Sequence, residues 1–298
     1  MKPSVFARWL IALVAVWLTL PQASLAGKVT DTTGAKVEVS SPERIVSLGG
    51  GITELVFALG LGDQVIAVDA SSVYPPKVFE LKRLPYHRQL SAEGILSLQP
   101  DLVVASDAVG PEAVITQIRD AGLSMALLPS DATIEGAKER IQMLAKLVDR
   151  NKQGKQLIAD IDTAIGKLAK PDPAPRVVFV YARGGGTLNV AGLDTGAGRM
   201  VELAGGVNAV TGYTGYKPLT AESLVLAKPD VLLLTSRGLE SLGGTEGLLE
   251  QPGVSLTPAG QNKRIVVLDD LLLLGFGPRV GEGVVELAKR LGDPDFTP

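Results

Sequence analysis

Apolar residues follow two alternating patterns along the chain. Short runs rich in Val, Ile and Leu are separated by stretches in which apolar positions recur with helical spacing. This alternation appears before residue 130 and again after residue 175, and it predicts mostly parallel sheets with helices on their faces. The predicted buried strands are 44–48, 64–69, 102–106, 124–129, 176–182, 231–236 and 264–269. The predicted fold class is therefore α/β.

A segment of different character lies between these two regions. Residues 131–169 contain no proline, and their apolar positions keep helical spacing throughout. Asp131 or Thr133 can cap the start, and the proline-rich 171–175 ends the pattern. We predict one long helix, or two nearly continuous ones, over 132–170, as a rigid link between the lobes.

An internal repeat relates the two α/β regions. Residues 90–108 and 219–237 align without gaps, and Leu90 corresponds to Leu219 at an offset of 129 residues. Each copy reads as a short capped helix, a Pro-Asp turn and a buried strand. We therefore predict two similar lobes, 27–131 and 171–298.

The first 26 residues have the pattern of a secretory signal peptide. Lys2 and Arg8 precede or flank an apolar run at 9–20, and the small-x-small triplet 24–26 suits cleavage before Gly27. The alternative, an N-terminal anchor helix, is disfavoured because the run is short for a bilayer. No later segment has about 18 uninterrupted apolar residues.

Cysteine content and charge indicate where the protein is located and which partners it has. The sequence has no cysteine, so it forms no disulfide and offers no thiol for a lipid. We expect an exported protein without a membrane anchor, confined in a periplasm. Without Lys2 and Arg8, 27 basic residues remain against 32 acidic ones, a net charge of −5. This balance argues against nucleic acid as a partner.

Motifs for enzymatic chemistry are weak. His87 is the only histidine, which excludes zinc sites built from His and Cys, and there is no nucleophile elbow or Walker motif. Two glycine triplets, 49–51 and 184–186, are the nearest approach to phosphate loops. Glycines also allow a ligand or another lobe to approach the backbone closely, and we favour that interpretation. An exported α/β enzyme is the less favoured alternative.

Tyr74 is the candidate binding residue that stands out from the sequence alone. It follows the predicted strand 64–69 and precedes Pro75 and Pro76, which stiffen the loop. In a two-lobed α/β protein this position lies at a ligand cleft, at the carboxyl ends of the strands. The tyrosine could pack structurally, stack on a ligand, or ligate ferric iron through its phenolate.

Six stretches then occur in a characteristic order. They are RIVSLGGGITELVFALG, YHRQLSAEGILSLQPDLVVASDAVGP, ARGGGTLNVAG, GYKPLTAESLVLAKPD, TSRGLESLGGTEGLL and DDLLLLGFGPR. Together they resemble the periplasmic haem-binding proteins of bacterial haem ABC importers, over essentially the whole chain after residue 26. The resemblance implies two Rossmann-like lobes with mostly parallel sheets joined by a long rigid helix. It also implies a monomer that carries haem b as transported ligand to an inner-membrane permease dimer with a cytoplasmic ATPase.

The resemblance assigns roles to individual residues. Tyr74 matches the axial tyrosine of the haem iron, and Arg237 matches an arginine of the second lobe that hydrogen-bonds the phenolate oxygen. A guanidinium favours the ionised phenol, so this pairing is chemically sound. Without the resemblance, Arg237 reads as a solvated arginine at the start of a helix.

Glu93 and Glu222 occupy the same repeat position, each in the first turn of a predicted helix capped by Ser91 or Thr220. Acidic residues there complement the helix dipole. The resemblance implies a second role, because equivalent carboxylates on the two lobes suit docking onto arginines of a two-fold permease.

Further haem contacts are predicted on both lobes, although each residue could equally pack its own loop. They are Arg83, Tyr86, His87, Arg88, Tyr213, Tyr216, Lys217 and Phe276. The closest rival function is the same fold with cobalamin or a ferric siderophore as cargo. A siderophore already saturates its iron, so Tyr74 would then only stack.

Overall fold

The computed structural model of the protein describes residues 27–183, 188–294 and 296. The predicted signal peptide, 1–26, and the second glycine triplet, 184–186, lie outside these residues. Within the described ranges, no helix is both long enough and apolar enough to cross a membrane.

The N-terminal lobe is built on a five-stranded parallel sheet. A hairpin of β1 (Gly27–Thr30) and β2 (Lys36–Val39) precedes it. The sheet strands are β3 (Ile45–Leu48), β4 (Val65–Asp69), β5 (Lys82–Leu84), β6 (Leu102–Ser106) and β7 (Ser124–Leu128), in the spatial order β5-β4-β3-β6-β7. The helices are α1 (Gly50–Ala58), α2 (Ala92–Leu96) and α3 (Glu112–Asp120), with 3₁₀ turns at Gly62–Gln64 and Pro76–Glu80.

Two helices, α4 (Ile134–Leu147) and α5 (Asn151–Gly166), follow this lobe. They are packed against each other rather than joined into one rod. A Cβ on Gly154 would lie 2.5 Å from that of Ala145, and Lys138 pairs with Asp162. The residue of α4 in contact moves toward the start of α4, from 145 to 138, as the residue of α5 moves toward the end of α5, from 154 to 162. The two helices are therefore antiparallel. The single long helix therefore does not form: Asp149 has a left-handed φ of 52°, which reverses the chain between the helices.

The C-terminal lobe repeats the α/β plan with a mixed sheet. Its strands are β8 (Arg176–Tyr181), β9 (Asn189–Ala191), β10 (Val207–Asn208), β11 (Tyr216–Pro218), β12 (Val231–Thr235) and β13 (Ile265–Leu268), in the order β11-β9-β8-β12-β13 with β10 beside β8. β8, β12 and β13 are parallel, whereas β9 runs antiparallel to β8. The helices are α6 (Gly196–Leu203), α7 (Ala221–Ala227), α8 (Ser236–Ser241), α9 (Gly244–Leu249), α10 (Pro258–Gln261), α11 (Asp270–Leu274) and α12 (Val280–Gly292), with a 3₁₀ turn at Val254–Leu256.

The internal repeat is confirmed as a structural unit. In the first copy α2 leads to β6, and in the second α7 leads to β12. The aspartate of the Pro-Asp turn has the same structural role in both lobes. Asp101 accepts hydrogen bonds from the backbone N–H of Glu43 and Arg44 before β3, and Asp230 accepts one from that of Arg176 at the start of β8. Each aspartate thereby fixes the central strand of its sheet to the neighbouring repeat unit.

The two lobes meet directly where α1 begins. Gly51 lies against the backbone of Gly275, so close that an added Cβ would be 2.4 Å from the Gly275 carbonyl oxygen. Gly50 likewise lies against Ser71 and Leu271. The first glycine triplet therefore serves close approach of the lobes, the interpretation favoured above. One apolar cluster continues through both lobes beneath this contact.

We expect Gly51→Ala to destabilise the protein by about 1–3 kcal/mol, because the methyl group must displace backbone of the opposite lobe. Thermal melting of the chain without residues 1–26 should show Tm lowered by about 5 °C. Gly166→Ala is the matched control, since a Cβ at that last position of α5 has nothing within 4 Å. Equal melting shifts for the two variants would contradict the close-approach role.

Candidate functional site

Tyr74 lies in the loop after β4, at the carboxyl edge of the N-terminal sheet. Pro75 is the N-cap of the 3₁₀ turn Pro76–Glu80, so a short helix begins directly behind the tyrosine. The side chain is 38% exposed, far more than a core tyrosine would be. Its phenol is therefore accessible at the face of the lobe that meets the other lobe.

Asp69, the last residue of β4, organises the loop from beneath. Its buried carboxylate accepts hydrogen bonds from the backbone N–H of Gly49 at 2.9 Å, the hydroxyls of Ser71 and Ser72 at 2.7 and 2.8 Å, and His87 Nδ1 at 3.0 Å. Burial raises the pKa of Asp69, but these hydrogen bonds outweigh it and hold the pKa well below its usual range. The site is thus built around a fixed negative charge.

His87 is held by this carboxylate through both its backbone N–H and its ring Nδ1. The ring is only 12% exposed, and it packs against Tyr86 with centroids 4.2 Å apart. The contacts place His87 beside the Tyr74 loop, and its contact with haem stays a prediction. They also give it a structural task, the pinning of Asp69 to the segment 86–88.

Arg83 supports the same loop from its other side. Its guanidinium donates to the carbonyl oxygens of Ser72 at 2.5 Å and Ala70 at 3.0 Å, and it lies 5.8 Å from the ring centroid of Phe79. Two of its N–H donors are therefore taken by backbone carbonyls, and its contact with haem stays a prediction. Arg83 shapes the loop that presents Tyr74.

The cation over Tyr74 is Arg279, from the loop that precedes α12 of the other lobe. Its guanidinium carbon lies 3.8 Å from the centre of the tyrosine ring, and its Nε donates to the carboxylate of Glu54 in α1. Glu54 is 3% exposed. Burial raises its pKa to about 6, against the opposing attraction of Arg279. A charged pair thus crosses between the lobes directly beside Tyr74.

Arg237, the predicted partner of the phenolate, is placed differently. It lies exposed in the first turn of α8, and its backbone N–H donates to Asp270 at 3.2 Å. Its side chain forms no hydrogen bond or ion pair with any residue that the structure describes. The structure therefore does not bring Arg237 onto the Tyr74 oxygen, and its role toward a ligand stays a prediction.

The facing wall of the second lobe is aromatic. Tyr181, the last residue of β8, lies 5.7 Å from Tyr216 between ring centroids. Arg183 spans the gap to the first lobe, with its guanidinium 5.3 Å from the Tyr181 ring and 5.9 Å from the Tyr86 ring. Burial raises the pKa of Tyr181, while the charges of Arg183 and Arg88 oppose that shift. The structure thus brings Tyr86, Tyr216 and Arg88 together at the cleft, and their contact with haem stays a prediction.

Three other predicted contacts do not line this wall. Phe276 is 3% exposed and packs in the apolar core, and its backbone carbonyl accepts a hydrogen bond from Arg140 at 2.7 Å. Tyr213 and Lys217 contact each other, at 4.6 Å from ammonium to ring centre. Tyr213 packs on the outer face of the sheet, beside an apolar cavity of about 270 Å³ under α7. Lys217 follows Tyr216 on β11, and strand alternation sends the two side chains to opposite faces.

Sequence reasoning missed several residues of this site. Tyr181 and Arg183 carry a detectable signal, since they follow the first strand of the second lobe at its carboxyl end, as Tyr74 follows β4. Glu54 and Arg279 carry none, because the two are 225 residues apart and nothing local in either sequence marks the pairing.

Glu93 and Glu222 are both exposed in the first turns of α2 and α7. The predicted caps are present: the Ser91 hydroxyl accepts from Gly94 N–H, and that of Thr220 accepts from Ser223 N–H. The two carboxylates thus occupy equivalent sites on the two lobes and are free to meet a partner; their docking role stays a prediction.

Several known proteins are similar to this chain in structure or in sequence. The solved structure of the periplasmic haem-binding protein RhuT from Roseiflexus sp. RS-1, in its apo form, superposes with a TM-score of 0.80 and 42% identity, over 85% of this chain and 98% of that one. The periplasmic haem-binding protein BhuT, in complex with two haems, gives a TM-score of 0.78 and 38% identity, over 84% and 98%. A vitamin B12-binding protein of Vibrio parahaemolyticus is 26% identical over 83% of this chain and 88% of its own length.

A family model described as periplasmic binding protein matches residues 45–272, which include both sheets, the helices between them and most of the cleft described above. The protein belongs to the periplasmic binding protein family.

Proposed function

We propose that the protein captures haem between its lobes and delivers it to an ABC permease. Tyr74 carries this proposal: a phenol held at the carboxyl edge of a sheet, 38% exposed and facing the other lobe. Phenolate is a hard oxygen donor that binds ferric haem iron in proteins. Haem b is the cargo in this proposal, and Tyr74 supplies its axial ligand.

The rest of the cleft suits the same molecule. Haem pairs a flat apolar macrocycle with two carboxylates. The rings of Tyr86, Tyr181 and Tyr216 offer flat apolar surface, and arginines are the preferred partners of carboxylates. The arginines near the cleft that could serve in this way are Arg88, Arg183 and Arg237. Similarity to haem-binding proteins supports the assignment independently.

The setting follows from the proposal. Residues 1–26 act as the signal peptide, with cleavage before Gly27, and the mature chain works as a monomer in the periplasm. It acts as a carrier that catalyses no reaction. Its partners are haem and an inner-membrane permease dimer with a cytoplasmic ATPase, whereas nucleic acid and membrane anchoring play no part. Support comes from the family, whose members here are transport proteins.

Cobalamin is the second candidate, favoured by the similarity to a vitamin B12-binding protein. The corrin ring is bordered by neutral amides rather than two carboxylates. It would leave several arginines of the cleft without an anionic partner, which costs favourable charge pairing. The charge of the cleft therefore favours haem.

Titration with hemin and, separately, with cyanocobalamin tests the proposal. We expect hemin to bind with the absorption spectrum of a high-spin ferric tyrosinate complex, and cyanocobalamin neither to bind nor to displace it. Binding of cyanocobalamin alone would transfer the function to the second candidate.

A further inference from the structure

We propose that Arg279, anchored by Glu54 of the opposite lobe, is the residue that positions the Tyr74 ring for its ligand, an inference that rests on the proposed function. Sequence resemblance gives the role of phenolate partner to Arg237. The geometry points instead to a stacked cation supplied by the loop before α12.

The stacking contact is close and directional. A guanidinium carbon 3.8 Å from the ring centre is at contact distance for two flat groups, well within the 6 Å range of cation–π attraction. A cation this close to the ring centre lies over one face of the ring, and its attraction opposes displacement of the ring from that position. The phenol oxygen lies in the ring plane, so a cation over the ring face does not cover it, and the residue as a whole is 38% exposed.

Arg279 is itself held rigidly. Its Nε is engaged by Glu54, whose carboxylate lies so near Gly277 that an added Cβ there would be 2.9 Å from it. Arg140 donates to the carbonyl oxygens of Phe276 at 2.7 Å and Pro129 at 2.5 Å. The backbone leading to Arg279 is thereby fixed to the first lobe. Because Arg279 is fixed, the Tyr74 ring that it contacts already has its binding geometry before haem arrives.

The arrangement also links Tyr74 to the contact between the lobes. Glu54 belongs to α1 and Arg279 to the loop before α12, so the pair exists only while the lobes meet as they do here. The other end of the Arg279 guanidinium is also buried. Its Nη2 lies 4.0 Å from the carboxylate of Asp269 and has no hydrogen-bond acceptor among the described residues. The role that competes with positioning of Tyr74 is a direct contact between Arg279 and the ligand.

A double-mutant cycle separates the two roles. We expect Arg279→Met to weaken hemin binding about tenfold in the wild-type background, and to have no further effect in Tyr74→Phe, where no phenolate is left to position. Arg279→Lys should lose less, because it keeps the charge but not the flat stacking surface. Equal losses in both backgrounds would mean that Arg279 binds the ligand directly, and no loss in either would also overturn the proposal. Arg237→Met is the matched variant, expected to show smaller coupling to Tyr74.

A measurement without hemin tests the contact independently of the cargo. With 3-fluorotyrosine incorporated, the ¹⁹F resonance of Tyr74 can be assigned through its absence in Tyr74→Phe. We expect Arg279→Met and Glu54→Gln to shift that resonance and Arg237→Met to leave it in place. An unshifted Tyr74 resonance in Arg279→Met overturns the positioning role. If hemin fails to bind the wild type while the shift is present, the proposed function fails and the positioning of Tyr74 stands.

Discussion

Tyr74→Phe is expected to weaken hemin binding by at least about a hundredfold, equivalent to about 3 kcal/mol. The substitution removes one oxygen and leaves the ring beneath Arg279. Stacking with the guanidinium and with the ligand therefore survives, and only the bond from phenolate to ferric iron is lost. Absorption spectroscopy should show the tyrosinate features replaced by those of a weakly ligated ferric haem.

Tyr213→Phe provides the control for this result. Its hydroxyl makes a single weak polar contact, to the carbonyl oxygen of Val190 at 3.5 Å, and it lies on the outer face of the C-terminal sheet. Affinity and spectrum should both match the wild type. If Tyr74→Phe also keeps the wild-type spectrum and affinity, the phenolate is not the ligand, and the stacking role considered for Tyr74 replaces it.

Local pattern was enough to predict most of the scaffold. All seven predicted strands are present, since a buried parallel strand is an uninterrupted apolar run that needs little context. The repeat predicted equivalent positions in the two lobes, and the Asp101 and Asp230 contacts show why that unit recurs. The linker was predicted less well, because one left-handed residue, Asp149, separates two helices whose apolar spacing is nearly continuous.

The site was harder to predict than the scaffold. Tyr74 stands out because it follows the end of a strand, precedes two prolines and is one of few aromatic residues in the chain. Tyr213 and Tyr216 look equivalent in sequence, yet they point to opposite faces of a sheet whose short strands β9 and β11 were not predicted. Glu54 and Arg279 meet through tertiary packing alone. Contacts of that kind depend on the whole fold and leave no local signature.

Charge reversal of Glu93 and Glu222 to lysine is expected to abolish hemin uptake by cells while leaving hemin binding within about twofold of the wild type. Both carboxylates are exposed, and they lie in the first turns of equivalent helices. Reversing a charge there costs about 0.3–1 kcal/mol per site through the helix dipole, too little to unfold the protein. If the two residues face arginines of the permease, the same reversal replaces attraction by repulsion at both contacts.

Glu112 and Glu246 separate docking from helix stabilisation. Each is also an exposed glutamate in the first turn of a helix, α3 in one lobe and α9 in the other. If the dipole is the whole explanation of Glu93 and Glu222, lysine at all four positions should have the same small effect on melting and none specific to uptake. If the repeat-related pair docks the permease, only that pair should stop uptake, because of these four glutamates only Glu93 and Glu222 occupy equivalent positions of the repeat. Loss of hemin binding in the Glu93 and Glu222 variants would place them in the cleft and contradict the docking role.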